Sequence, residues 1–337
     1  MVLTNHNSPH ACFYKSAALT LAIALHSLLL LGQSKANKSD FGLTQLTLKA
    51  SELNSPEESD RLFITKELSL NTLAYEYASC VFQNELIVVS KRKIGSVNSS
   101  SNTVLDQSEY KLIGFSNEDT GWSKPHLLSN IFIGKENHGG ITFSKDETRV
   151  FYTKASPAKP HIYQIYTAER KNKFLNTWQN IKQLQIADRN YSIENPWLST
   201  NGKRLYFSSN MPGGFGGFDI YWAAVLKDGT LGKPVNLGLM VNSTADEKFP
   251  TLNLNTTKLY FASNRNGGYG GFDLFECFLN SGDYSKAVNL GKSINSTYDE
   301  IGFISTSDTT GFFSSNKNAL SKNQNIYSFS VKSQFQN

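Results

Sequence analysis

Cysteine is almost missing from this chain, with three among 337 residues, so a small scaffold stapled by disulfides is excluded. Histidine is scarce as well. Beyond residue 30 only His126, His138 and His161 remain, and no His-Glu-x-x-His segment is present. A Gly-x-Ser-x-Gly nucleophile elbow is also absent. Neither charge sign dominates. The formal net charge is +5, dispersed along the chain with no long basic run, which argues against a nucleic-acid partner. At 39% hydrophobic and 18% charged residues, the chain has enough apolar surface for a folded core and is not globally disordered.

Long apolar runs are limited to one. Residues 17–31 follow Lys15 and precede Ser34-Lys35-Ala36, a small-x-small cleavage site. Fifteen residues are short for a membrane span and suit a secretory signal peptide, so residues 1–36 are expected to be removed and the protein exported. Cys12 precedes the run, so no lipoprotein signal is read there, and no membrane span is expected after cleavage. Residues 37–60 are polar and form a leader, and 333–337 form a polar tail. Cys80 and Cys277 remain after cleavage; whether they pair is left open.

Aromatics are plentiful at 12%, and Asn and Ser are frequent, a balance that favours strands and polar turns. Two segments repeat almost without gaps. Residues 194–222 contain Leu205-Tyr-Phe-Ser-Ser-Asn210 and Gly213-Gly-Phe-Gly-Gly-Phe-Asp-Ile-Tyr221. Residues 247–275 contain Leu259-Tyr-Phe-Ala-Ser-Asn264 and Gly267-Gly-Tyr-Gly-Gly-Phe-Asp-Leu-Phe275. Weaker copies begin near Asp299, Gly139 and Asn71. Each unit reads as four short strands, which predicts a β-propeller of four-stranded blades over residues 61–332. The last copy stops after its third strand. Residues 61–70 resemble the missing fourth, so the N-terminal strand is expected to complete the last blade and remove the ring's open edge. This gives an all-β, five-bladed propeller, with six blades as the alternative. Residues 91–108 are read as a loop within the first blade.

The repeats resemble the WD40-like propeller repeats of TolB-type periplasmic proteins, in the form found in Bacteroidota envelope proteins of the PorE and OmpA-linked kind. Glu-x-x-Pro, Leu-Tyr-Phe-Ser-Ser-Asn-Arg and Gly-Gly-x-Gly-Gly-x-Asp-Ile-Tyr carry the likeness. Residues 247–275 match nearly throughout; in 194–222 Met211 stands in place of Arg. The resemblance implies a periplasmic or outer-membrane-associated propeller. Its usual neighbours, tetratricopeptide repeats and an OmpA-like domain, have no counterpart here, so peptidoglycan anchoring is not carried over.

Glu76, Glu194, Glu247 and Glu300 recur at the start of the innermost strand. They would either ring one channel mouth or bond the Ser-Ser-Asn loop of a neighbouring blade. Equal placement in each repeat favours architecture, since catalysis needs unlike residues in unlike roles. A carboxylate ring would also suit calcium, although no cofactor or metal is required. The glycine loops lack the helix that a dinucleotide site needs. Asp219 and Asp273 are instead expected to bond local amides, and Asn210, Asn264 and Asn316 to serve the same framework. Phe215, Phe218, Tyr269 and Phe272, with Arg265, would pack between blades or form a docking surface. These features predict a non-enzymatic envelope protein, monomeric or part of a larger assembly, that recognises a protein or glycan. The alternative is a glycan hydrolase using inner-strand carboxylates.

Overall fold

The computed structural model describes residues 57–58, 61–92, 110–119, 121–132, 137–156, 158–172, 177–188, 190–280, 282–317 and 323–332. The expected signal peptide, nearly all of the leader, most of the 91–108 loop and the tail lie outside the described residues. The described residues form five sheets, antiparallel except for one added edge strand in blade 4, with one 3-10 turn at Asn130–Phe132. Blade 1 runs outward from Glu76–Phe82 through Glu85–Ser90 and Lys111–Glu118 to His126–Leu127. Blade 2 comprises His138–Phe143, Arg149–Ser156, Lys159–Asn172 and Thr177–Gln183. Blade 3 is Ile193–Leu198, Arg204–Ser209, Asp219–Ala224 and Val235–Asn236, and blade 4 is Glu247–Leu252, Lys258–Ser263, Asp273–Asn280 and Val288–Asn289. Blade 5 has Glu300–Ser305, Thr310–Ser315 and Asn325–Lys332, and its outermost strand is the N-terminal Leu62–Glu67. The innermost strands touch in a closed circle, each meeting the next and blade 5 meeting blade 1. The ring has five blades, and the six-bladed alternative fails because residues 61–70 complete blade 5.

The closing strand lies where its apolar pattern puts it. Phe63 sits opposite Val331 and Glu67 opposite Tyr327. Leu62 and Ile64 face outward while Phe63 is 3% exposed, with its ring edge-on to Phe303 and Phe329 at 6.3 and 5.6 Å. Glu57–Glu58 adds a parallel strand outside Val288–Asn289, so the end of the leader belongs to the outer edge of blade 4.

Each blade is packed on both faces, so its second strand is a continuous apolar run rather than an alternating one. Leu205, Tyr206 and Phe207 are all fully buried. Between this strand and the third, an aromatic pair recurs in four blades: Tyr152 with Tyr166, Phe207 with Tyr221, Phe261 with Phe275 and Phe313 with Tyr327, at 5.3–6.0 Å. Such cross-strand pairs each add about 0.2–1 kcal/mol and pin the register. Cores lie between blades. Phe151 and Ile165 join Phe207 and Tyr221 across one interface, and Val88 and Ile113 join Ile304 and Ile326 across another. The Asn201-Gly202 signal becomes the turn between the first two strands of blade 3, with Gly202 at φ 70°, a value that favours glycine. Cys80 and Cys277 are free, buried thiols; desolvation raises both, Cys277 to about 12.

Candidate functional site: the channel mouth

Three of the four predicted glutamates are latches. Glu247 is fully buried and accepts hydrogen bonds from Ser243 N at 2.8 Å, Ser243 Oγ at 2.6 Å, Ser263 Oγ at 2.7 Å and Arg265 Nη2 at 3.1 Å. Glu76 repeats this with Thr72, Ser90 and Arg92, and Glu300 with Ser296 and Ser315. In blade 5 Lys317 takes the cation's place, with its ammonium over Tyr327 at 4.3 Å. Burial pushes the Glu300 carboxyl up and the Lys317 ammonium down. The serine partners belong to the same blade, not to a neighbouring one. The residue before each Ser or Thr is an asparagine that binds the preceding blade. Asn71 clasps the backbone of Ile326, Asn242 that of Ile220 and Asn295 that of Leu274. Leu70-Asn-Thr-x-x-x-Glu76, Val241-Asn-Ser-x-x-x-Glu247 and Ile294-Asn-Ser-x-x-x-Glu300 thus form one motif that fastens each blade to the previous one. It was legible as a spacing, and its first copy follows the closing strand, as a blade junction requires.

Glu194 is not the fourth member. Glu76, Glu247 and Glu300 pair with Ser90, Ser263 and Ser315; in blade 3 the residue at that register is Ile193, opposite Ser209, and in blade 2 it is His138, opposite Lys154. Proline spacing carries the signal, because Pro250 stands three residues after Glu247 but Pro196 only two after Glu194. A bulge follows in each innermost strand, and its residues Asn195, Phe249 and Gly302 adopt φ of 52°, 56° and 63°. Pro196 and Pro250 sit in these bulges on the sheet's inner edge, where no ladder donor is needed.

The position one after the latch differs in all five blades: Tyr77, Gly139, Glu194, Lys248 and Ile301. Here the structure builds a cavity of about 130 Å³ on the side of blades 1 to 3. Tyr75 and Tyr77 come from blade 1, Tyr110 from the entry to its third strand, Tyr163 from blade 2 and Glu194 from blade 3. Phe249 reaches across from blade 4 to meet Tyr77 at 5.5 Å and forms the floor. A bulky residue at positive φ is unusual, and the packing around it holds it there. Gly139 leaves room on the blade 2 side: a Cβ there would lie 2.8 Å from Thr153 Oγ1. Glu194 Oε2 pairs with Lys248 Nζ at 2.7 Å, and that ammonium also lies 4.1 Å from the Phe218 ring. Burial first, then neighbouring charges, raise the phenols: Tyr163, beside Glu194 and Tyr110, to about 12, and Tyr75, beside Tyr110 and Asp299, and Tyr77, beside Tyr75, Tyr163 and Glu194, higher. Sequence reasoning missed these tyrosines, because positions 75, 77, 110 and 163 meet only once the ring has closed.

The remaining candidates are framework. Asp219 accepts from the amides of Phe215 and Gly216 and from Asn236 Nδ2; Asp273 does the same with Tyr269, Gly270 and Asn289. Asn210, Asn264 and Asn316 accept from the amides of Ser192, Asp246 and Asp299, tying the second strand to the start of the first. Arg265, proposed as a loop contact, is instead turned inward onto Glu247, the Val241 carbonyl and the Phe275 ring. Phe215 is exposed and Tyr269 half-buried. Among the described residues no three His, Cys, Asp or Glu side chains converge to hold a metal, and the carboxylates considered for calcium are bonded within the protein. No helix among the described residues is long and apolar enough to cross a membrane.

No protein-family model and no curated protein matches the chain. Solved structures do. A thermostable family-43 glycoside hydrolase is 13% identical with a TM-score of 0.51, matching 80% of this chain and 96% of that one. TolB from Acinetobacter baumannii is 12% identical with a TM-score of 0.37, over 77% of this chain and 64% of TolB. A chain from a study of two prolyl endopeptidases is 11% identical with a TM-score of 0.38, over 72% of this chain. This chain therefore spans a third of the endopeptidase it matches (33%) and slightly under two thirds of TolB. At these identities the likeness shows the propeller fold alone.

Proposed function

We propose that this is an exported, non-enzymatic recognition propeller of the cell envelope whose ligand seat is the tyrosine-lined cavity at the channel mouth. The observation that carries this reading is the contrast between adjacent positions. The latch residue is glutamate in three blades, whereas the next residue differs in all five, and in blades 1, 2 and 3 it is Tyr77, Gly139 or Glu194, each lining the cavity. Symmetric positions build the ring; unlike residues converging on one pocket are what a ligand site requires. The glycan-hydrolase alternative calls for two carboxylates roughly 5–9 Å apart in an open pocket. Glu194 is the only carboxylate among the cavity's described lining residues, and it is ion-paired.

The test is retention of solubilised envelope fractions, protein and polysaccharide, on immobilised wild-type protein and on a Tyr163→Ala/Glu194→Gln variant. Material held by the wild type and not by the variant is the expected result. Equal retention by both contradicts the proposed seat. Steady release of reducing sugar from retained glycan establishes the hydrolase instead.

A further inference from the structure

The chemistry of the cavity narrows what it takes, on the footing that it is the ligand seat. The hydroxyls of Tyr75, Tyr77, Tyr110 and Tyr163 make no hydrogen bond within the described residues, although all four tyrosines line the cavity. A neutral phenol both donates and accepts, so the pocket offers four bifunctional groups at close quarters. The charged groups around it already have partners. Glu194 holds Lys248, and the Lys91 ammonium lies 4.4 Å from the centre of the Tyr110 ring. A charged ligand of either sign gains an opposite charge here only by disturbing one of these contacts and by losing its own hydration, a cost that a neutral ligand avoids.

Shape adds a second constraint. Tyr75 stands at 81° to both Tyr77 and Tyr110, at 6.3 and 5.5 Å, so the rings make upright walls rather than a flat stack. The space is about 130 Å³, comparable with the engineered cavity of about 150 Å³ that holds one benzene ring. A neighbouring space that shares Tyr77, Asn195 and Phe249 with the cavity holds only about 20 Å³, room for roughly one water. With room for about one ring, the cavity seats a single unit of a longer ligand. Tyr75, Tyr110 and Tyr163 are part-exposed, which leaves the outer side open for the rest of a chain.

We propose that the cavity binds a single uncharged sugar ring at the end of a glycan. Its hydroxyls bond the tyrosyl hydroxyls and Glu194, its C–H faces lie against the rings, and the next sugar points to solvent.

The experiment titrates the purified full chain with glucose, galactose, mannose and N-acetylglucosamine, their methyl glycosides and their disaccharides, and with glucuronate and choline. Calorimetry gives affinity and saturation-transfer NMR maps contact. The expected result is binding of at least one neutral sugar, with saturation confined to one terminal ring of its disaccharide and with glucuronate and choline at least about tenfold weaker. Tyr75→Phe and Tyr163→Phe each weaken binding about fivefold, as loss of one net hydrogen bond does. Gly139→Val, which fills the blade 2 side, abolishes it, while circular dichroism and the melting curve report the fold of each variant. Choline binding that is lost in Glu194→Gln would overturn the sugar proposal and leave the cavity standing as a ligand seat. Saturation spread along the whole disaccharide would overturn end recognition. If no compound binds, or if binding ignores both Tyr163→Phe and Gly139→Val, the seat itself is wrong.

Discussion

The five junctions between blades are of two kinds. Those entering blades 1, 4 and 5 carry the Asn-(Ser/Thr)-x-x-x-Glu latch, with a buried carboxylate and, in blades 1 and 4, an arginine. Those entering blades 2 and 3 carry His138 and Ile193 where the carboxylate would be. The latched junctions form one continuous arc that includes the seam where the chain's two ends meet. The cavity opens on the other arc. The ring is therefore fastened where closure requires it, and the unlatched blades are free to present Gly139, Tyr163 and Glu194 at the mouth.

The comparison is broken most directly at a latch. Glu247→Ala takes the counter-charge from the Arg265 guanidinium, which keeps only neutral acceptors, and the acceptor from two serine hydroxyls, and removing one partner of such a buried pair costs about 3–5 kcal/mol; urea unfolding measures it. At the seam, Phe63→Ala removes the ring wedged between Phe303 and Phe329 and is expected to cost about 3–4 kcal/mol by the same measurement. Asn71→Ala leaves the Ile326 amide without its acceptor, while the Ile326 carbonyl keeps the Leu68 amide, and should cost about 1–3 kcal/mol.

Acid sharpens the comparison further. Burial raises the folded-state pKa of Glu300 above its unfolded value, so the folded protein takes this proton more readily. The contribution to stability is present below the ordinary glutamate range and is lost as pH rises through the raised value. The stability of the wild type minus that of Glu300→Gln should therefore fall as pH rises from about 4 in urea titrations; a difference that stays flat or grows would contradict the assignment. The smallest effect belongs to the unlatched side. Glu194 and Lys248 are partly exposed, so Glu194→Gln should change stability by less than about 1 kcal/mol.

The blade count and the seam were legible because both depend on local patterns: Leu-Tyr-Phe runs, glycine hairpins and an apolar strand at 61–70 with no other place to go. Asp219 and Asp273 were legible as amide acceptors for the same reason, their partners lying within four residues. Glu194 was misplaced by one position because the glutamate repeats to the eye while the register follows the proline. One residue of slip moves a strand's side chain to the opposite face, here from a buried latch to the cavity. Arg265 looked like a loop contact because its glycine-loop neighbours are exposed; its inward turn toward Glu247 depends on a partner 18 residues away. The cavity could not be read at all, since Tyr77 and Phe249 belong to blades that meet only across the finished channel.

The division of labour between the two arcs is tested by measuring stability and ligand retention side by side on Glu247→Ala and Glu194→Gln. The account predicts that Glu247→Ala loses several kcal/mol and, while folded, still retains what the wild type retains, whereas Glu194→Gln keeps its unfolding midpoint and loses retention. The reverse pattern, or loss of both properties in both variants, would contradict it.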